Sequence, residues 1–129
     1  MPLPVNGTYA DVVYNAQIID VSTASIAQIP ILKAGKIVSA SIALSAAITS
    51  ADSVVTVKKY PAGVVGDAVT IGTITIVQSG SAAGKNYAMV ITGNEAACTL
   101  ASGDTLAFDN AAGSSTTSIG RISALVRGP

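Results

Sequence analysis

Histidine is absent from all 129 residues, so the commonest general base and metal ligand is missing. That removes zinc sites of Cys and His, and Ser-His and Cys-His nucleophile pairs. Cys98 is the only cysteine. With no partner to activate it and no second thiol to bridge, it reads as a small buried apolar residue. Asp104 and Asp109 stand five apart on one strand candidate, so their side chains point to opposite faces and cannot share an acid–base site. Asp104 follows Ser102-Gly103 and reads as a turn residue. Asp109-Asn110 could join a calcium site with other loop oxygens, but EF-hand spacing is missing. Gly80 and Gly84 bracket Ser81-Ala82-Ala83 and precede Lys85. A phosphate-binding loop needs four residues between its glycines and a hydroxyl after the lysine. Here three intervene and Asn86 follows, so the stretch reads as a flexible loop. The expectation is a protein that is not an enzyme, with no catalytic, cofactor-binding or metal residues and no cofactor.

Two groups suit contact with another protein instead. Lys58-Lys59-Tyr60 is a basic and aromatic cluster at a strand end. It reads either as a solvated edge that discourages unwanted pairing or as a contact to an acidic neighbour. Tyr9, Val12, Val13 and Tyr14 lie in the least regular part of the chain, and tyrosine is enriched at interfaces.

Strands must position these residues. From Lys36 to Ile48, Val38, Ala40, Ile42, Leu44, Ala46 and Ile48 alternate with serines and alanines, the period-two signature of a strand with one buried face. Similar runs occupy Ser53–Tyr60, Val69–Val77, Asn86–Thr92, Asp104–Asp109 and Thr117–Arg127, with weaker candidates at Asp11–Asp20 and Ser25–Leu32. Across Gly72 the apolar positions change parity, from Val69 and Ile71 to Ile74 and Ile76, which predicts a β-bulge. Glu95–Ala101 allows a single helical turn. Turn residues such as Pro61-Ala62-Gly63 and Ser102-Gly103-Asp104 separate the runs. About eight strands at this spacing predict an all-β fold, a two-sheet antiparallel β-sandwich of jelly-roll type. Val38, Ile42, Leu44, Ile76, Leu106, Phe108, Ile122 and Val126 are the expected core. Residues 1–24 are expected to form an N-terminal arm or irregular extension, and residues 25–129 the sandwich.

Composition narrows the partners. Half the residues are hydrophobic, yet there is no Trp and one Phe, so Val, Ile, Leu and Ala must fill the core. Seven basic residues balance seven acidic ones. No basic field exists to attract nucleic acid. So few charges suit a protein that covers much of its surface with neighbours. No apolar run reaches the roughly 18 residues of a membrane span, and no membrane partner is expected. Met1-Pro2-Leu3-Pro4 lacks a basic n-region and an apolar h-region, so no secretory signal is expected.

The stretches Ala34-Gly35-Lys36-Ile37-Val38, Ile48-Thr49-Ser50-Ala51-Asp52-Ser53-Val54-Val55-Thr56-Val57, Gly72-Thr73-Ile74-Thr75-Ile76, Gly80-Ser81-Ala82-Ala83-Gly84, Leu100-Ala101-Ser102-Gly103-Asp104-Thr105-Leu106 and Gly113-Ser114-Ser115-Thr116-Thr117 together resemble small virion proteins of tailed bacteriophages, of the capsid decoration, cement or head-fibre type. The resemblance implies a structural protein that decorates and stabilises a capsid by bridging major capsid subunits. It implies the major capsid protein as partner. The resemblance also implies synthesis in the host cytoplasm and residence on the capsid surface. The scarcity of charge, together with the threefold junctions of an icosahedral shell, favours self-association as a homotrimer, with a dimer possible. The alternative is a receptor- or glycan-binding accessory protein of a head fibre or tail, against which the lack of Trp counts.

Overall fold

Strand β10 (Gly120–Arg127) lies between β1 (Val12–Ile18) and β3 (Gly35–Leu44), and these three long strands form the body of one sheet. Along β10, Ile122, Ala124 and Val126 turn inward and Arg121, Ser123 and Arg127 outward, as the alternation predicts. The computed structural model describes residues 11–18, 20–111 and 118–128. The first sheet is completed by β6 (Asn86–Ala88) and β8 (Thr99–Leu100), both on the far side of β3. The second sheet runs β2 (Ser25–Pro30), β9 (Thr105–Asn110), β4 (Ser53–Tyr60), β5 (Val69–Ile76), β7 (Val90–Ile91). All pairings are antiparallel. Strands β1 with β10, β2 with β9, β3 with β8 and β4 with β5 are successive rungs of one folded ribbon, and successive rungs alternate between sheets. This is jelly-roll wrapping. The predicted fold class is correct, and the strands among the described residues number ten because β7 and β8 are short additional pieces.

Between the sheets, Phe108 is fully buried with Ile42, Val55, Val57, Ile74, Ile76, Leu106 and Ile122. Seven of the eight expected core residues are buried. Val38 is the exception, being half-buried. The β10–β3 register shifts between Leu125 and Val126, which pair with Ser39 and Ile37, so Val38 is the extra residue of a bulge. Ile37, which a strict alternation would place outside, is fully buried instead.

At Gly72 the predicted irregularity is present. Val57 pairs with Gly72 and Lys58 with Thr70, which leaves Ile71 as the bulged residue beside the glycine. A second constraint acts there. A Cβ on Gly72 would stand 2.4 Å from the Val90 carbonyl oxygen of β7, so only glycine lets the two backbones approach. The expected single strand over Asn86–Thr92 divides: Asn86–Ala88 pairs with β3 in the first sheet, and Val90–Ile91 with β5 in the second. The expected helical turn is α1 (Glu95–Cys98), capped by Asn94, whose side-chain Oδ1 accepts the Ala97 N–H at 2.9 Å.

The boundary placed at residue 24 is corrected. Val12–Ile18 pair residue for residue with Val126–Gly120 and belong to the sandwich. The turn after them is tied in as well, since Asn110 Nδ2 donates to the Val21 and Thr23 carbonyls and Val21 N–H to Ser118 O. Weak alternation in VVYNAQI hid an edge strand. Residues 1–10, including Tyr9, lie outside the described residues.

Candidate interaction surface

The residues singled out for contact occupy different environments. Tyr14 points into the core and is 9% exposed. Its hydroxyl is buried with no hydrogen-bond partner among the described residues. Val12 packs against the core edge, whereas Val13 on the opposite face is 59% exposed. Of the described residues proposed on this segment, Val13 is therefore the one displayed to a neighbour.

The Lys58-Lys59-Tyr60 cluster is engaged within the chain. Lys58 Nζ bridges to Asp109 Oδ2 at 3.0 Å across the outer face of the second sheet. Lys59 pairs in register with the buried Leu106. Its ammonium therefore emerges at the rim, where it donates to the Ala96 and Thr99 carbonyls at 2.9 Å each and caps the end of α1. Tyr60 is buried, at the strand end that leads into the turn Pro61–Gly63. No basic patch is left for an acidic neighbour here.

The carboxylates are likewise structural. Asp104 is buried. Its Oδ1 accepts the Ala62 N–H at 3.0 Å and its Oδ2 the Ala101 N–H at 2.9 Å, which ties two turns together. Ala62 has a positive φ of 53°, and that bond helps hold it in the left-handed region. Asp109 faces outward to Lys58 while Asn110 faces inward to Val21 and Thr23, so the two do not converge on a cation. Among the described residues no three His, Cys, Asp or Glu side chains gather at one point. In the β1–β2 turn the Asp20 carboxylate accepts from Ser22 Oγ and Ser22 N–H, and these bonds, the side-chain one first, hold its pKa below the usual carboxylate value. Tyr87 donates to the Val77 carbonyl at 3.1 Å. Burial, and then the charge of Asp52, pushes its phenol above the ordinary value. Cys98 is buried.

The Gly80–Lys85 segment folds back on β3. Ser81 Oγ accepts from Ile48 N–H at 2.9 Å, and Gly84 N–H donates to Leu44 O at 2.8 Å. Asn86 begins β6, so no helix follows to hold a phosphate. An open cleft of about 520 Å³ lies where Gly35, Lys36, Leu100 and Arg127 meet. Its charged groups pair off, Lys36 with Glu95 at 3.4 Å and Arg127 with Asp11 at 3.6 Å.

What the molecule presents broadly is the outer face of the first sheet. Three cross-strand rows cover most of it: Val13, Leu125 and Ser39; Asn15, Ser123, Ser41 and Ala88; Gln17, Arg121, Ala43 and Asn86. Arg121 is the only charge in these three, and a fourth row, Arg127 and Lys36, closes one end of the face with charge. The side chains are short, so another surface can approach the backbone closely, and no ion must be desolvated over most of the area. The alternating serines and alanines of β3 are plain in the sequence, but this face is not, because the weak alternation of β1 reads as an arm.

No protein-family model matches the chain. No curated protein matches it. Among solved structures it is similar to that of Eiger TNF from S. frugiperda, with 12% sequence identity and a TM-score of 0.46 over 91% of this chain and 93% of that one.

Proposed function

We propose that this chain is a non-enzymatic structural virion protein, which decorates a phage capsid and stabilises it by bridging major capsid subunits. The observation that carries the reading is the broad outer face of the first sheet, whose three central rows hold one charge, Arg121, a surface suited to being covered. The stretches that resemble phage virion proteins agree with it. Most fall on β3, β4, β5 and the β8–β9 turn, the frame of the jelly roll, while Gly80–Gly84 lies in the loop between β5 and β6 and Gly113–Thr117 lies outside the described residues. Such a protein acts by adding buried area across subunit junctions. A standard interface of about 1,600 Å² in total, repeated over many lattice sites, gains from multivalent engagement. The partners are the major capsid protein and further copies of this chain, at the capsid surface. No cofactor enters.

The test is to add the purified protein to shells lacking it, and separately to host cells, and to follow retention and shell survival under heat or osmotic shock. Retention on shells with a gain in survival is expected. Retention on cells with no change in the shell would replace this reading with receptor binding.

A further inference from the structure

We propose that β1 is a pairing edge: a second copy of this chain docks against it strand to strand, and the two first sheets join into one across a twofold axis. The inference is independent of the virion reading.

A sheet edge carries unpaired N–H and C=O groups, and proteins blunt such edges with short strands, charges, prolines, bulges or covering segments. The other edges here follow that practice. At the far side of the first sheet β6 and β8 have three and two residues. In the second sheet β7 has two residues, and β2, uncharged over its six residues, is closed at its end by Pro30. Strand β1 follows none of it. It is seven residues long and reads VVYNAQI, with no charge and no proline. Its ladder with β10 runs through all seven without a register shift. Among the described residues no strand pairs with its other side.

A second copy is the occupant that this strand fits. Antiparallel pairing about Asn15 sets Asn15 against its twin and Val13 against Gln17 on the outer face, and Tyr14 against Ala16 on the inner. Inward residues continue inward rows and outward residues outward rows, the condition for a stable register. No like charges stand opposite one another, and a chain of net charge zero does not repel its copy. A twofold edge is isologous and closes at two chains. The structure thus points to a dimer, where composition and capsid symmetry favoured a trimer.

Light scattering after gel filtration tests this at high micromolar concentration. The unmodified chain is expected at about twice the 12.7 kDa of one copy. Asn15 is exposed and its side chain only accepts a bond from Ser123 Oγ at 3.0 Å. Asn15→Lys should therefore keep the circular dichroism and melting curve and run as one chain, since two lysines would meet at the axis. Asn15→Glu should do the same, and mixing the two variants should restore the double mass. Should Asn15→Lys fail to fold, Val13→Lys at the 59%-exposed neighbour replaces it. A monomeric or trimeric unmodified chain, a lysine variant that keeps the double mass, or a mixture that stays monomeric would each overturn the proposal.

Discussion

Asp104→Ala probes the fastening between the turn after β4 and the turn before β9. The carboxylate accepts two backbone N–H groups, from Ala62 and Ala101, at 3.0 and 2.9 Å. Hydrogen bonds to a charged group contribute about 1.5–3 kcal/mol each. Both donors are only partly buried and can turn to water once the oxygens are gone, which lowers the sum to about 2–4 kcal/mol. Ala62 adds to the effect, because its positive φ loses one of the contacts that hold it. For a chain of this length 1 kcal/mol moves the melting temperature by about 3–6 °C, so a fall of roughly 6–24 °C is expected. Thermal and urea unfolding followed by circular dichroism measure it. Asp104→Asn is the informative companion. It keeps the shape but turns an NH2 toward one donor, so it should lose most of the same stability. An Asn variant within about 0.5 kcal/mol of the unmodified chain would refute the reasoning.

Phe108→Ala, at the centre of the core, should cost about 3–5 kcal/mol in urea unfolding, and a cost below about 1 kcal/mol would show that the site collapses around the gap. Gly72→Ala should destabilise strongly and raise hydrogen exchange selectively in β7, because its Cβ would meet the Val90 carbonyl at 2.4 Å. Tyr14→Phe should be neutral or slightly stabilising in the same unfolding assay, since it removes a buried hydroxyl without a partner among the described residues. Tyr87 has a raised folded pKa. The stability that this shift contributes is full below the unfolded value of about 10 and is lost as pH rises through the folded pKa. Tyr87→Phe should flatten that alkaline loss of stability, and it should remove a late-ionising phenol from the tyrosinate absorbance of the unmodified chain.

The wrapping of the sheets was legible because alternation and turn chemistry agree over most of the chain. Ile122, Ala124 and Val126 against Arg121, Ser123 and Arg127 leave one orientation for β10. The parity change around Gly72 located a real bulge. The other bulge, at Val38, left no mark, since Ile37 and Val38 are both apolar and either can serve as the inward residue. The contact residues were legible in type but not in placement. Lys58 and Lys59 look free in sequence, yet Asp109 and the carbonyls of Ala96 and Thr99 lie 37 to 51 positions away along the chain.

The least regular segment is also the one whose placement matters most. An edge strand is buried on one face and bonded on one side, so its sequence is under half the constraint of a central strand, and its alternation blurs. In β1, Val12, Tyr14, Ala16 and Ile18 still turn inward, but Val13 stands among the outward residues and weakens the contrast. Had the strand ended alone in solvent, the same laxity would have admitted a lysine or a proline at no cost to the core, as Pro30 is admitted in β2. Their absence from all seven positions of β1 agrees with the proposal that its open side is a contact surface. Asn15, central and exposed, is the position at which one charge on each copy separates the two accounts: a free edge accepts it, and a paired edge does not.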